Sequence, residues 1–239
     1  MEPRFMGQLP ELMKNYKAEE TEIIAGLQEK LQEVFQKAQQ MQKVDRKGKI
    51  CTMGVSYLQS SVLTGSYDLR IDLYDKEFYL DSAECCTYWK PAFITEYIQK
   101  DIKYFKYNIH GKVPQIRTYE IQEFMDGYII NYLYLLAQFL EQIMPQILCK
   151  VRPAFREVMD DGMHVIFGEY MGKGMIIVGE TEELSIICST GRKREIRCRG
   201  SETGWRDWII RQFKKENWRS YRSEPFFFWK KIRIHYFLM

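Results

Sequence analysis

The stretch from Thr118 to Lys150 constrains the fold more than any other part of this 239-residue chain. Read as a helix, it carries apolar side chains on nearly every side and polar ones along one narrow stripe. That stripe consists of Glu120, Glu123, Gly127, Asn131, Gln138 and Gln142. A helix that is apolar on almost all sides is a buried one, so the stretch predicts a central core helix. Because a proline removes one backbone hydrogen bond, we expect Pro145 to kink or end it.

The same stretch is too short in apolar residues to predict a transmembrane helix. Its charge-free run extends from Gly127 to Leu140, fourteen residues, whereas a bilayer requires roughly twenty. The first twenty residues contain acidic side chains and no long apolar run, which does not match a secretory signal. We therefore expect a cytoplasmic chain whose six scattered cysteines are mostly reduced thiols.

A second helix is predicted from about Glu20 to Val44. Apolar residues recur there at alternating spacings of three and four, as in the a/d seam of a coiled coil. The seam consists of Ile24, Leu27, Leu31, Val34, Ala38 and Met41. It covers fewer than three heptads, which favours packing within the chain over a partner helix. Contact with a protein partner through Ile24, Leu27, Leu31, Val34 and Met41 remains the alternative. Pro10 is suited to the first turn of a separate, shorter helix.

The segment after this helix predicts a small antiparallel meander. Apolar and polar residues alternate from Cys51 to Tyr57 and from Tyr67 to Leu73, which is typical of strands with one solvent-exposed face. A turn at Asp75 and Lys76 leads into a third candidate strand, Phe78 to Leu80. An amphipathic helix fits Pro91 to Phe105, with Asn108 to Gly111 as its stop.

Shorter elements are expected after Pro145. Pro153 and Gly162 suit the two ends of a short helix, and Gly172 and Gly174 suit a hairpin turn. The candidate strands are His164 to Tyr170, Met175 to Val178, Leu184 to Ser189, Arg194 to Arg199 and Phe226 to Met239, with a helix from Thr203 to Trp218.

Together these patterns predict an α+β protein. A small antiparallel sheet is packed by the largely buried central helix, with a long N-terminal amphipathic helix and a basic C-terminal segment attached. Three parts are expected: an N-terminal helical segment (1–45), an α+β core (46–189) and a basic, Trp-rich segment (190–239).

No motif in the sequence predicts a catalytic centre. The segment Gly168 to Gly174, GEYMGKG, lacks the spacing and the following helix of a phosphate-binding loop, so a hairpin turn is favoured. Asp160, Asp161 and His164 lie close in sequence but leave most ligand positions of a metal ion unfilled. We therefore predict no cofactor, no metal and no catalytic residues, while an enzyme whose site is assembled from dispersed residues remains an alternative.

The basic C-terminal segment carries the strongest functional signal. From Thr190 to Met239 there are fourteen Lys or Arg and five Asp or Glu, a net charge of +9, against −6 for the preceding 189 residues. Cations neutralise phosphates and aromatic rings stack on unpaired bases, so this mixture suits nucleic acid or another anionic surface. The candidate residues are Arg192, Lys193, Arg194, Arg197, Arg199, Trp205 and Arg206. A solvated basic face, a surface that answers the acidic part of the chain, or an appended segment would give the same composition.

The function that we predict is that of a non-enzymatic interaction or scaffold protein. Its partner would be an unidentified protein or a second copy of the chain. Contact would be made by the Glu20 to Val44 helix or by the tyrosine-rich stretch from Tyr57 to Tyr134, which holds twelve of the sixteen tyrosines. A nucleic-acid-binding module is the first alternative and an enzyme the second.

Overall fold

The computed structural model describes residues 2–112 and 117–179, and the predictions for the basic C-terminal segment lie outside them. The elements follow in the order α1 (Glu2–Lys43), β1 (Ile50–Tyr57), α2 (Gln59–Thr64), β2 (Leu69–Tyr74), a 3-10 turn (Phe78–Leu80), β3 (Cys86–Trp89), α3 (Ala92–Lys112), α4 (Thr118–Phe155), β4 (Met159–Glu169) and β5 (Gly174–Val178). The α+β class is confirmed.

The five strands form one mixed sheet in the order β3-β2-β1-β4-β5. All neighbours are antiparallel except β1 and β4, which pair in parallel from Thr52 opposite His164 to Tyr57 opposite Glu169. The expectation of a purely antiparallel sheet is therefore wrong at its centre. Parallel strands need a long crossover, and here the chain between Tyr57 and Met159, which includes α3 and α4, supplies it.

Helices α1, α3 and α4 pack against one another, and α1 and α4 also pack against the sheet. Helix α4 is the buried central helix that the sequence predicts: Tyr132, Leu140 and Met144 are fully buried. Aromatic pairs fix α1 beside it, with Phe5 and Tyr132 at 4.9 Å and Phe35 and Phe155 at 5.6 Å between ring centroids. Both residue numbers rise together along these pairs, so α1 and α4 run parallel.

Three prolines lie inside helices that the sequence predicts to begin or end there. Helix α1 is continuous through Pro10, and α4 is continuous through Pro145 and Pro153. A proline inside a helix costs about 3 kcal/mol, whereas each large apolar side chain that becomes buried contributes about 1.5–3 kcal/mol. Around Pro145 these side chains are Ile143, Met144, Ile147 and Leu148, each at most 2% exposed. Their burial outweighs the lost hydrogen bond, so the helix continues.

Three further local predictions are wrong. Phe78–Leu80 is a 3-10 turn, and the third strand of the meander is β3. No helix runs from Pro153 to Gly162, because Gly162 lies within β4. Helix α3 passes the expected stop at Asn108 to Gly111 and ends at Lys112.

The hairpin between β4 and β5 is confirmed. Glu169 N donates to Lys173 O at 3.0 Å, which closes the turn. A Cβ atom at Gly168 would lie 2.3 Å from Lys173 O, so only glycine fits at this position. Gly168 of the GEYMGKG segment therefore allows a close approach of two backbones.

In the part of the chain that the structure describes, no helix combines the length and the hydropathy that crossing a bilayer requires. Cys51, Cys85 and Cys86 carry free thiols. Cys149 is disulfide-bonded and is thus an exception to the expectation of mostly reduced cysteines.

Candidate interaction surface

The seam residues of α1 divide into a buried group and an accessible group. Leu27, Leu31 and Val34 are 0% exposed, because they pack into the core formed with the sheet and the other helices. Ile24 and Met41 keep part of their surface exposed. Packing within the chain, which the short seam favours, thus uses the middle of the predicted interaction face. Only its two ends remain available to a partner.

Met41 lies in a shallow open groove of about 570 Å³ between the end of α1 and the edge strand β3. We call it the α1–β3 groove. It is lined by Lys37, Gln40, Met41, Val44, Arg46, Glu84, Cys85 and Cys86.

The end of α1 shapes one wall of this groove. Asp45 adopts the left-handed conformation, with φ 53°. Asp45 N donates to Gln42 O at 3.1 Å and Arg46 N donates to Met41 O at 3.0 Å. These two bonds form a Schellman motif, which satisfies the last carbonyls of the helix and reverses the chain. The reversal leaves Val44 63% exposed, beside Met41.

Strand β3 forms the opposite wall and is an edge of the sheet within the described residues. Leu73 N donates to Cys85 O at 2.9 Å, so the main-chain groups of Cys85 face β2. The N–H and C=O groups of successive residues in a strand point alternately to one side of the strand and to the other. The register Asp72–Cys86 and Arg70–Tyr88 therefore places the N–H and C=O groups of Cys86 and Tyr88 on the outer edge. Lys37 lies on α1, and its Nζ donates to Cys86 O at 3.2 Å. This hydrogen bond confirms that the carbonyl points outward.

The ionisable groups of the groove are mostly paired. Lys37 Nζ lies 2.8 Å from Glu33 Oε1, and Glu84 Oε1 lies 2.5 Å from Arg70 Nη2. The hydrogen bond to Glu33 raises the pKa of Lys37, and the hydrogen bond to Arg70 lowers the pKa of Glu84. Arg46 is exposed and has no ion pair among the described residues, so it is the cation most available to an incoming group.

The two thiols of the groove are poorly ionised. Burial raises the pKa of Cys85 to about 11, and burial is also the main cause that raises the pKa of Cys86. Cys85 Sγ lies 3.5 Å from Val34 O, against α1. Cys85 is thus a packed core residue.

The candidate metal residues lie on β4 and have protein partners. His164 Nε2 is 3.1 Å from Thr52 Oγ1, Asp160 Oδ1 accepts from Gly162 N at 3.0 Å, and Asp161 Oδ1 is 3.7 Å from Arg152 Nη2. Within residues 2–112 and 117–179, no group of three or more His, Cys, Asp or Glu is arranged to hold a metal ion.

A smaller cavity of about 180 Å³ lies on the outer face of the sheet. Phe78 and Tyr79 form one side, and the β4–β5 hairpin with Gly168 and Gly174 forms the other. Glu169, the carboxylate at its rim, accepts a hydrogen bond from Gln59 Nε2.

A buried carboxylate in the helical layer escaped the sequence prediction. Asp101 on α3 is 0% exposed and accepts hydrogen bonds from both neighbouring helices. Its donors are Arg4 Nε at 2.6 Å, Gln8 Nε2, Tyr128 Oη, and Tyr132 Oη at 2.7 Å. The available signal was that Asp101 follows Tyr97 and Ile98 and precedes Phe105 at helical spacing, which places it on the apolar side of α3.

The predicted anion-binding residues lie outside the described residues. They are Arg192, Lys193, Arg194, Arg197, Arg199, Trp205 and Arg206. Binding of nucleic acid or an anionic surface through them stays a prediction.

No family model matches the chain, and neither a curated protein nor a solved structure matches it.

Proposed function

We propose that this chain is a non-enzymatic, cytoplasmic interaction or scaffold protein that holds a protein partner in the α1–β3 groove. The observation that carries the proposal is the combination of exposed apolar side chains with an exposed strand edge on facing walls. Met41 and Val44 offer apolar contact, and the edge at Cys86 and Tyr88 offers main-chain donors and acceptors. An apolar centre with a polar rim is typical of protein interfaces.

The ionisation of the groove residues supports binding over catalysis. An acid, base or nucleophile that works near neutral pH needs a pKa shifted towards neutrality. The resolved shifts run the other way: the pKa of Lys37 is raised, that of Glu84 is lowered and that of Cys85 is raised to about 11. Lys37 stays protonated, Glu84 stays ionised and weakly basic, and Cys85 stays a thiol.

Photo-crosslinking tests this proposal. Val44, 63% exposed, is replaced by photo-reactive p-benzoylphenylalanine, and Leu63, 65% exposed on α2, receives the same replacement as a matched control. We expect irradiation in cells to attach one recurring protein at position 44 and not at position 63. The captured partner, once purified, should bind the chain without the photo-reactive residue. Met41→Asp should weaken that binding about tenfold or more, as for an interface hot spot.

Leu63→Asp serves as the control substitution in the binding assay, since it introduces the same charge at an exposed site outside the groove. Leu27→Asp and Leu31→Asp are unsuitable because both leucines are fully buried and a charge there would unfold the core. Equal crosslinking at both positions, or a partner that binds Met41→Asp as tightly as the unmodified chain, would contradict the proposal.

A further inference from the structure

We propose that the partner segment in the α1–β3 groove is an extended peptide that adds to the sheet as a strand beside β3 and carries an acidic residue opposite Arg46. The inference depends on the proposed function, because it states how the same groove recognises its partner. It specifies main-chain pairing as the source of affinity and the two groove walls as the source of specificity.

The edge of β3 has the donors and acceptors that strand addition requires. Cys86 and Tyr88 each present one N–H and one C=O group away from β2. Of these four outward groups, Lys37 Nζ contacts Cys86 O, through an exposed hydrogen bond. A long side chain can leave an exposed bond at small cost, since such contacts contribute little to stability.

The overhanging end of α1 selects what can lie on that edge. Side chains of an added strand alternate between the two faces of the sheet. Those on the helical side would meet Gln40, Met41 and Val44, which favours apolar residues at alternate positions. Arg46 favours a carboxylate nearby, because it is the exposed cation of the groove lining for which the described residues supply no ion pair.

A second copy of this chain fits the edge less well than an acidic peptide. Two β3 strands paired about a two-fold axis would keep both α1 helices on the same face of the joined sheet. Lys37 of each copy would then approach the same short edge, and like charges placed together across an interface are unfavourable.

A peptide selection tests the inference. Random twelve-residue peptides displayed on phage are selected against the immobilised full chain, and the recovered peptides are then tested for binding to its Met41→Asp variant. We expect the recovered peptides to alternate apolar residues and to contain Asp or Glu. Arg46→Glu should weaken their binding about tenfold, since it replaces attraction by repulsion.

Two variants at position 88 isolate the main-chain pairing. Tyr88→Pro removes the outward N–H while leaving the bonds to β2 intact, and proline is tolerated on an edge strand in that orientation. Tyr88→Ala removes the same ring but keeps the N–H. We expect Tyr88→Pro to weaken peptide binding about tenfold more than Tyr88→Ala, with similar melting temperatures, because an acceptor left unpaired in a contact is costly.

N-methylation of the synthetic peptide at alternate backbone nitrogens provides a test without mutating the protein. Methylation in one register should abolish binding and methylation in the other should not. Peptides that need Met41 but tolerate both methylation patterns and Tyr88→Pro would overturn strand addition while the proposed function stands. Recovered peptides that bind Met41→Asp unchanged would contradict the proposed function itself. Sedimentation tests the remaining occupant. If the chain forms concentration-dependent dimers and Tyr88→Pro abolishes them, the occupant of the groove is a second copy of the chain and the acidic peptide is excluded.

Discussion

Asp101 shows how one buried charge can organise a helical layer. Its carboxylate joins α3 to Arg4 and Gln8 of α1 and to Tyr128 and Tyr132 of α4. A buried charge is tolerated when it is paired and hydrogen-bonded, and here all four contacts come from donors. Burial is the main cause that raises the pKa of Tyr128 and Tyr132, and their bonds to Asp101 add to it, so both phenols stay protonated and able to donate.

Asp101→Ala should lower the free energy of unfolding by about 3–5 kcal/mol, because it leaves buried donors and the Arg4 guanidinium without their acceptor. Urea denaturation followed by circular dichroism measures the change. Glu96→Ala removes an exposed carboxylate from the same helix and should change the stability by no more than about 0.5 kcal/mol. Similar losses for both variants would show that Asp101 has no special structural role.

Helix α1 is the element whose role differs most from its sequence pattern. The a/d spacing from Ile24 to Met41 resembles a short coiled coil, yet Leu27 and Leu31 are fully buried in the core of this chain. What remains for a partner lies where the helix ends, at Met41 and Val44. The helix thus serves the core along its length and the groove at its terminus.

Gly26 in the middle of α1 offers a test of this element. A Cβ atom added there meets nothing within 4 Å, so Gly26→Ala should raise the free energy of unfolding by about 0.5–1 kcal/mol through the lower backbone entropy of alanine in the unfolded chain. Gly168→Ala is the matched contrast, because its Cβ would collide with the Lys173 backbone, and we expect it to cost about 1–3 kcal/mol. Urea denaturation of both variants should give changes of opposite sign, and a destabilised Gly26→Ala would contradict an uninterrupted helix.

At the scale of the whole molecule, the described fold depends on the parallel pairing of β1 with β4. These strands are separated by about a hundred residues of sequence and lie at the centre of the sheet. The chain between them supplies β2, β3, α3 and α4, so the core closes only when β4 inserts beside β1. Five tyrosines of this core are buried or half-buried, and burial is the main cause that raises the pKa of each: Tyr16, Tyr67, Tyr74, Tyr128 and Tyr132.

The raised pKa values of these tyrosines predict a sharp loss of stability in alkaline solution. Tyr67 has a pKa of about 12 in the folded protein and about 10 when unfolded. A raised folded pKa contributes stability that is complete below pH 10 and is lost as the pH rises towards 12. For Tyr67 alone the loss is about 2–3 kcal/mol. A large step in the ultraviolet absorbance of tyrosinate should coincide with the loss of helical circular dichroism, whereas complete ionisation of the tyrosines in a chain that keeps its helical signal would refute the prediction.

The core of the fold could be predicted from the sequence because it depends on local periodicity. The apolar surround of Tyr128 to Leu140 predicted α4, the alternation from Cys51 to Tyr57 predicted β1, and the glycines at 172 and 174 predicted the hairpin. The helix boundaries predicted at Pro145 and Pro153 were wrong, because local rules count only the hydrogen bond that a proline removes. The burial of the surrounding apolar side chains outweighs that loss and depends on the tertiary structure. Within the groove, Met41 alone belonged to the predicted interaction residues, since Val44, Arg46 and Cys86 are brought together only by folding.

The order of residues by itself determined which segments are helical or extended and which faces are apolar, since each depends on side chains three, four or two positions apart. Only the tertiary structure decided that β1 and β4 pair in parallel, that Asp101 meets both neighbouring helices, and that the end of α1 overhangs the edge of β3. The physical reason is that these contacts join residues far apart in sequence, whose meeting is set by how the buried faces of all the elements pack together.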